Sequence, residues 1–150
     1  MRLFLLCPVV MVTALVGCSE PKPDGLPKLH SLVLKFTQEG SPCVGAAVRL
    51  VPQDGNPWVS GGTTDASGNA VFVTHGKYAG VPVGKYKITV SKDEVESDEM
   101  LRSSFYSSVD LVYTVESTTP LEIEVVAGKN VPQTFDLGKQ VRVLKPGPPI

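Results

Sequence analysis

A chain of 150 residues has room for one domain, such as a β-sandwich of roughly a hundred residues. Hydrophobic residues make up 42% of the chain, enough for a core that needs neither metal nor disulfide. The 14 basic and 15 acidic residues nearly cancel, and no basic stripe is present to neutralise phosphates, so no nucleic-acid partner is expected.

The N-terminus carries the strongest local signal. Arg2 is followed by an uncharged run from Leu3 to Gly17, too short and wrongly flanked for a stable membrane span, and residues 1–17 read as a signal peptide. The run closes on Leu15-Val16-Gly17-Cys18, which resembles the lipobox of bacterial lipoproteins. That resemblance implies cleavage before Cys18, a thioether-linked diacylglycerol on its sulfur, and further acylation of the palmitate type. Several acyl chains anchor a protein durably where one does so only marginally. The expected partner is therefore a membrane, reached through covalent lipid, and the expected location is the cell envelope. Ser19, standing where Asp would retain a lipoprotein in the inner membrane, resembles an outer-membrane address in a diderm bacterium. Cleavage removes Arg2 and no acid, leaving 13 basic against 15 acidic residues. Of the three cysteines, Cys7 leaves with the signal and Cys18 is consumed by lipid. Cys43 is left alone, so no intramolecular disulfide forms in the mature chain, and it reads as a small buried hydrophobe.

Residues 18–28 then form the lipidated cysteine and a tether rich in proline (Pro21, Pro23, Pro27). A single domain is predicted over 29–144, with 145–150 as a flexible tail. Leu32, Leu34 and Phe36 alternate with Val33 and Lys35 in a first strand, and Val44–Val51 gives a second that ends at Pro52, Asp54 and Gly55. Asp65-Ala66-Ser67-Gly68-Asn69 is a turn: Asp65 can cap it, and Gly68 can take positive φ. The strand Ala70–Thr74 follows. In Gly84–Ser91, Tyr86, Ile88 and Val90 face one way and Lys85, Lys87 and Thr89 the other. Residues 92–110 are predicted as a long inter-strand loop with room for a helical turn or two. Leu121, Ile123 and Val125 alternate with Glu122 and Glu124, and Phe135 and Leu137 open a last hairpin completed by Val141 and Val143. Short strands between turns, without long helical periodicity, predict an all-β, two-sheet antiparallel sandwich of about seven strands.

Three blocks carry a family resemblance. Gly40-Ser41-Pro42-Cys43-Val44-Gly45-Ala46-Ala47-Val48 has a Gly/Pro turn leading into a Gly-Ala-x-Val strand. Gly62-Thr63-Thr64-Asp65-Ala66-Ser67-Gly68-Asn69-Ala70-Val71-Phe72 has a Thr-Asp-x-x-Gly hairpin that ends on an aromatic. Pro82-Val83-Gly84-Lys85-Tyr86 opens a Pro-x-Gly-x-Tyr strand. In this order and spacing, over about Leu29 to Ser91, the blocks resemble the bacterial carboxypeptidase-regulatory-like domains, whose fold is the transthyretin-like (prealbumin-like, Ig-like) sandwich. The run Ser117–Val125 with Gly128, Asn130 and Phe135-Asp136-Leu137 resembles the ending of a lipoprotein subgroup of these domains. The first strand lacks the family's glycine near Leu32. The resemblance places Cys43 inward, whereas simple alternation puts it opposite Val48; a bulge near Gly45 reconciles the two.

Signs of chemistry are sparse. Gly80–Tyr86 echoes a phosphate-binding loop but is one residue short, lacks Ser or Thr after Lys85, and leads into a strand. His30 and His75, the only histidines, have no second ligand at metal spacing. Two enzyme groups on related sandwiches are not matched. The tail is not the Tyr-Arg-Gly-Ser of hydroxyisourate hydrolases, and the His-x-His pair of intradiol dioxygenases is missing. Asp93, Glu94, Glu96, Asp98 and Glu99 offer oxygen atoms suited to calcium, although such a run is ordinarily a solvated loop. No catalytic residue, resident metal or cofactor is expected. The leading expectation is a non-catalytic, membrane-anchored structural or interaction module of the cell envelope, its partner a protein or a polysaccharide that the sequence does not identify. The alternative is a domain binding a polysaccharide or cell-wall polymer, for which Trp58, Tyr78, Phe105, Tyr106 and Tyr113 supply rings that stack on sugars. A hydrolase with an unrecognised site ranks last.

Overall fold

The computed structural model describes residues 22–97 and 103–145. The predicted signal peptide, Cys18, the start of the predicted tether, Asp98, Glu99, Met100, Leu101, Arg102 and residues 146–150 of the predicted tail lie outside the described residues.

The described chain is all-β, with one 3-10 turn at Leu111–Tyr113. Its strands are β1 (Leu29–His30), β2 (Val33–Gln38), β3 (Ser41–Pro42), β4 (Ala47–Pro52) and β5 (Ser60–Thr63). Next come β6 (Asn69–Val71), β7 (Val73–Thr74), β8 (Tyr78–Ala79), β9 (Val81–Pro82) and β10 (Gly84–Ser91). The last are β11 (Asp93–Ser97), β12 (Ser103–Ser107), β13 (Glu122–Val125), β14 (Gln133–Asp136) and β15 (Val143–Leu144). The largest sheet runs β13-β10-β4-β5-β7-β8; opposite it β2 is flanked by β14, β3 and β6, and β11-β12-β15 and β1-β9 form smaller sheets.

One core joins the two main sheets. Leu34 and Phe36 of β2 and Ala70 of β6 meet Val48 and Leu50 of β4, Tyr86, Ile88 and Val90 of β10, and Ile123 and Val125 of β13. The β10 side chains alternate buried and partly exposed as their sequence does, so its phase is the predicted one. Tyr86 keeps its hydroxyl satisfied by donating to the Pro82 carbonyl at 2.9 Å. Burial first, and the nearby Asp54 carboxylate second, push that phenol up to about 12.

The Asp65 turn forms as its residues dictate. Its Oδ1 accepts the N–H groups of Ser67 and Asn69 at 2.8 and 2.9 Å, and Gly68 has φ +79°. After that turn the chain changes sheets: β6 pairs with β2, Phe72 turns inward, and β7 pairs with β5. The predicted single strand Ala70–Thr74 is thus two, each serving a different sheet.

Three more expectations are corrected. Val44–Val51 is not one strand: a turn at Val44 and Gly45, with φ +72° at the glycine, separates Cys43 from β4. That extra turn lets Cys43 and Val48 both point inward, as the bulge was meant to do. Residues 92–110 are not mainly a loop, because β11 and β12 pair in register from Asp93↔Ser107 to Ser97↔Ser103. Phe135 and Leu137 do not form a hairpin with Val141 and Val143. β14 instead lies parallel to β2, and β15 pairs with β12. The sheets are therefore antiparallel except at that one pairing among the described strands.

Candidate functional site

The five aromatic residues singled out by the sequence do not share a platform. Phe105 and Tyr106 are neighbours on β12, so their side chains leave on opposite faces. The Tyr106 ring is covered by the Arg142 guanidinium at 3.8 Å from its centroid, while Phe105 stays 48% exposed. Tyr113 packs against the core from the 3-10 turn. Tyr78, on β8, borders a groove of about 620 Å³ that it shares with Lys22, Leu26 and Lys28. Trp58 lines a separate groove of the same size on the β4-β5-β7 face, away from Tyr78.

The described part of the acidic run is structural in its contacts. Asp93 accepts from Lys145 Nζ at 2.7 Å, and Glu96 accepts from Arg142 Nη2 at 2.5 Å. The hydrogen bond from Arg142 to Glu96 is the main reason the guanidinium pKa is raised. Asp93 and Glu96 are three residues apart on a strand and so project from opposite faces, which keeps them from sharing one ion. Among the described residues, no group of three or more acidic, histidine or cysteine side chains is placed to hold a metal.

Cys43 is buried and unpaired, and burial raises its thiol pKa despite the opposing charge of Lys92. His30 is also buried, its Nδ1 accepting from the Gly128 N–H at 3.0 Å.

The groove at Trp58 lies on the outer face of β4, β5 and β7 and encloses about 620 Å³. Its floor is a cross-strand row, Arg49↔Gly61↔Val73. The Trp58 ring meets His75 edge-on at 5.5 Å between centroids. The loop before it is fixed by the Asn56 side chain, whose Oδ1 accepts from the Trp58 backbone N–H at 2.9 Å. Beneath the floor, the buried hydroxyls of Ser60 and Thr74 bond to each other at 2.8 Å, and Thr74 donates to the Gly80 carbonyl at 2.7 Å. The sequence points to Trp58, weighs His75 only as a histidine without a second metal ligand, and gives no residue pattern that joins Arg49 or Gly61 to them. Two consecutive glycines inside a strand, Gly61-Gly62, are the signal that pointed there.

No helix among the described residues is long and apolar enough to cross a membrane. Comparison with family models, curated proteins and solved structures finds no match.

Proposed function

We propose that the chain is a non-catalytic interaction module of the cell envelope, held to a membrane by lipid on Cys18, with a transthyretin-like sandwich as its folded part. The fold assignment rests on the three motif blocks and on where they lie. The Gly-Ala-x-Val block leads into β4, the Thr-Asp block forms the turn between β5 and β6, and the Pro-x-Gly-x-Tyr block enters β10.

The observation that carries the interaction reading is the β11-β12-β15 sheet. β11 is exposed along its whole length and pairs with β12 alone among the described strands. Val95 at 61% and Phe105 at 48% exposure stand opposite each other in register on one face. An edge strand of this kind accepts an extended partner through backbone hydrogen bonds, with the neighbouring apolar side chains giving selectivity. Its acidic residues also protect it from pairing with copies of itself.

Two measurements test the reading. Labelling with a radioactive fatty acid is expected to mark the wild type and not Cys18→Ala; equal incorporation would end the lipid assignment. A photo-crosslinking residue placed at Val95 in intact cells is expected to give a discrete adduct that depends on Cys18. Failure to form any adduct from that strand would overturn the interaction role.

A further inference from the structure

We propose that the outer groove of β4, β5 and β7 binds an acidic saccharide, with a pyranose ring against Trp58 over the bare backbone of Gly61 and its carboxylate on Arg49. This site is separate from the β11 edge, and its failure would leave the interaction reading untouched.

Three observations converge on it. The first is that Gly61 has no folding reason to be glycine. Its backbone is not left-handed, and a Cβ there would meet only the Val48 carbonyl oxygen at an ordinary 3.5 Å. Its neighbour Gly62 is the opposite case, since a Cβ there would lie 2.4 Å from the Val71 carbonyl oxygen. Glycine inside a strand weakens it and leaves a flat patch where something can approach closely. The second is that His75 holds φ +56° ahead of Gly76 at φ +70°. Histidine is among the few non-glycine residues that take this left-handed conformation with any frequency, and the turn holds the imidazole edge-on to Trp58 as part of the groove's wall.

The third is charge. Arg49 is exposed, and neither its guanidinium nor the Trp58 indole N–H has a hydrogen-bond partner among the described residues. No carboxylate lines the groove. A flat aromatic wall suits the apolar face of a sugar ring, and an unpaired guanidinium suits a carboxylate bidentately. The groove's volume falls within the usual size range of ligand sites, and it is open to solvent, so a polymer chain can pass through it.

Trp58 is the sole tryptophan of the chain, so its emission reports directly on the groove. The full chain in detergent is titrated with a tetramer of galacturonic acid, a tetramer of glucose, and polyglutamate. A saturable change in Trp58 emission is expected with the uronide, with at least tenfold weaker binding of the neutral sugar. Arg49→Gln is expected to weaken uronide binding at least tenfold. Gly61→Val, which fills the floor and suits a strand, is expected to abolish it while the circular dichroism spectrum stays that of the wild type. The proposal is overturned if the uronide gives no saturable change, or if both variants bind it like the wild type. It is equally overturned if polyglutamate binds as well as the uronide, which would make the groove a site for acidic peptide.

Discussion

Thr37 and Asp136, 99 residues apart, are joined by a 3.1 Å hydrogen bond in which the threonine hydroxyl donates to the carboxylate. The same carboxylate accepts the backbone N–H groups of Gly138 at 2.7 Å and Gly40 at 3.2 Å. It thereby ties the end of β14 to β2 and to the turn that follows β2, at the chain's one described parallel pairing. These donors, the Gly138 N–H foremost, hold the Asp136 carboxyl below its ordinary 3.8. A carboxyl whose pKa falls on folding contributes stability above its unfolded-state value and loses it as pH drops through the folded-state value. Asp136→Asn is therefore expected to lower Tm at neutral pH, with the two melting curves converging at the acid end. A Tm difference that stayed constant from pH 7 to pH 2 would show that the carboxylate charge plays no part.

Gly61 and Gly62 give a sharper contrast, since they are adjacent on one strand. Gly62→Ala drives a methyl into the Val71 carbonyl at the point where β6 crosses to the other sheet. It is expected to cost about 1–3 kcal/mol, as overpacking does. Gly61→Ala meets only an ordinary contact and lowers the entropy of the unfolded chain, so it is expected to be neutral or to stabilise by up to about 1 kcal/mol. Denaturant melts of the two single variants check this, and a reversed order would mean that the crowding has been placed on the wrong glycine.

The sequence shows these features unevenly, for physical reasons. β10 was legible because one face is buried and the other is not, so Tyr86, Ile88 and Val90 stand out at period two. β11 was hidden because it is exposed on both faces, and Asp93-Glu94-Val95-Glu96-Ser97 has no apolar alternation to reveal a strand. The parallel partnership of β14 with β2 links residues about a hundred positions apart, which no local pattern encodes. The groove was half legible: Trp58 announced itself as an aromatic, whereas Arg49 and His75 join it only through the pairing of β4, β5 and β7.

The core assignment predicts unequal costs along β10. Ile88 is fully buried, and Ile88→Ala is expected to cost about 2–5 kcal/mol through lost contacts and a residual cavity. Lys87 points the other way, pairing with Glu122 at 2.5 Å and donating more weakly to the Thr119 carbonyl at 3.4 Å. Exposed pairs of this kind contribute little, so Lys87→Ala is expected to cost less than about 1 kcal/mol. Indistinguishable denaturant midpoints for the two variants would contradict the packing of this strand.

The final prediction concerns metal and thiol. Asp93 and Glu96 already receive Lys145 and Arg142, and a calcium ion competing for them has to displace both cations. Calcium sites gather six to eight oxygen ligands around one point, and these two carboxylates face away from each other across the strand. Cys43 is 1% exposed, with its thiol pKa raised by burial, so neither the reactive thiolate nor access for a second chain is provided. Thermal melts of the purified chain are expected to superimpose with and without a chelator, and with and without a reductant. Modification of Cys43 by a thiol reagent is expected to be slow in the native protein and rapid in denaturant. A chelator-dependent fall in Tm would redirect attention to the acidic run, and Asp93→Asn would then show whether the ion sits at the described end of it. A reductant-dependent fall would require Cys43 to be paired between chains, which its burial beneath the sheets opposes.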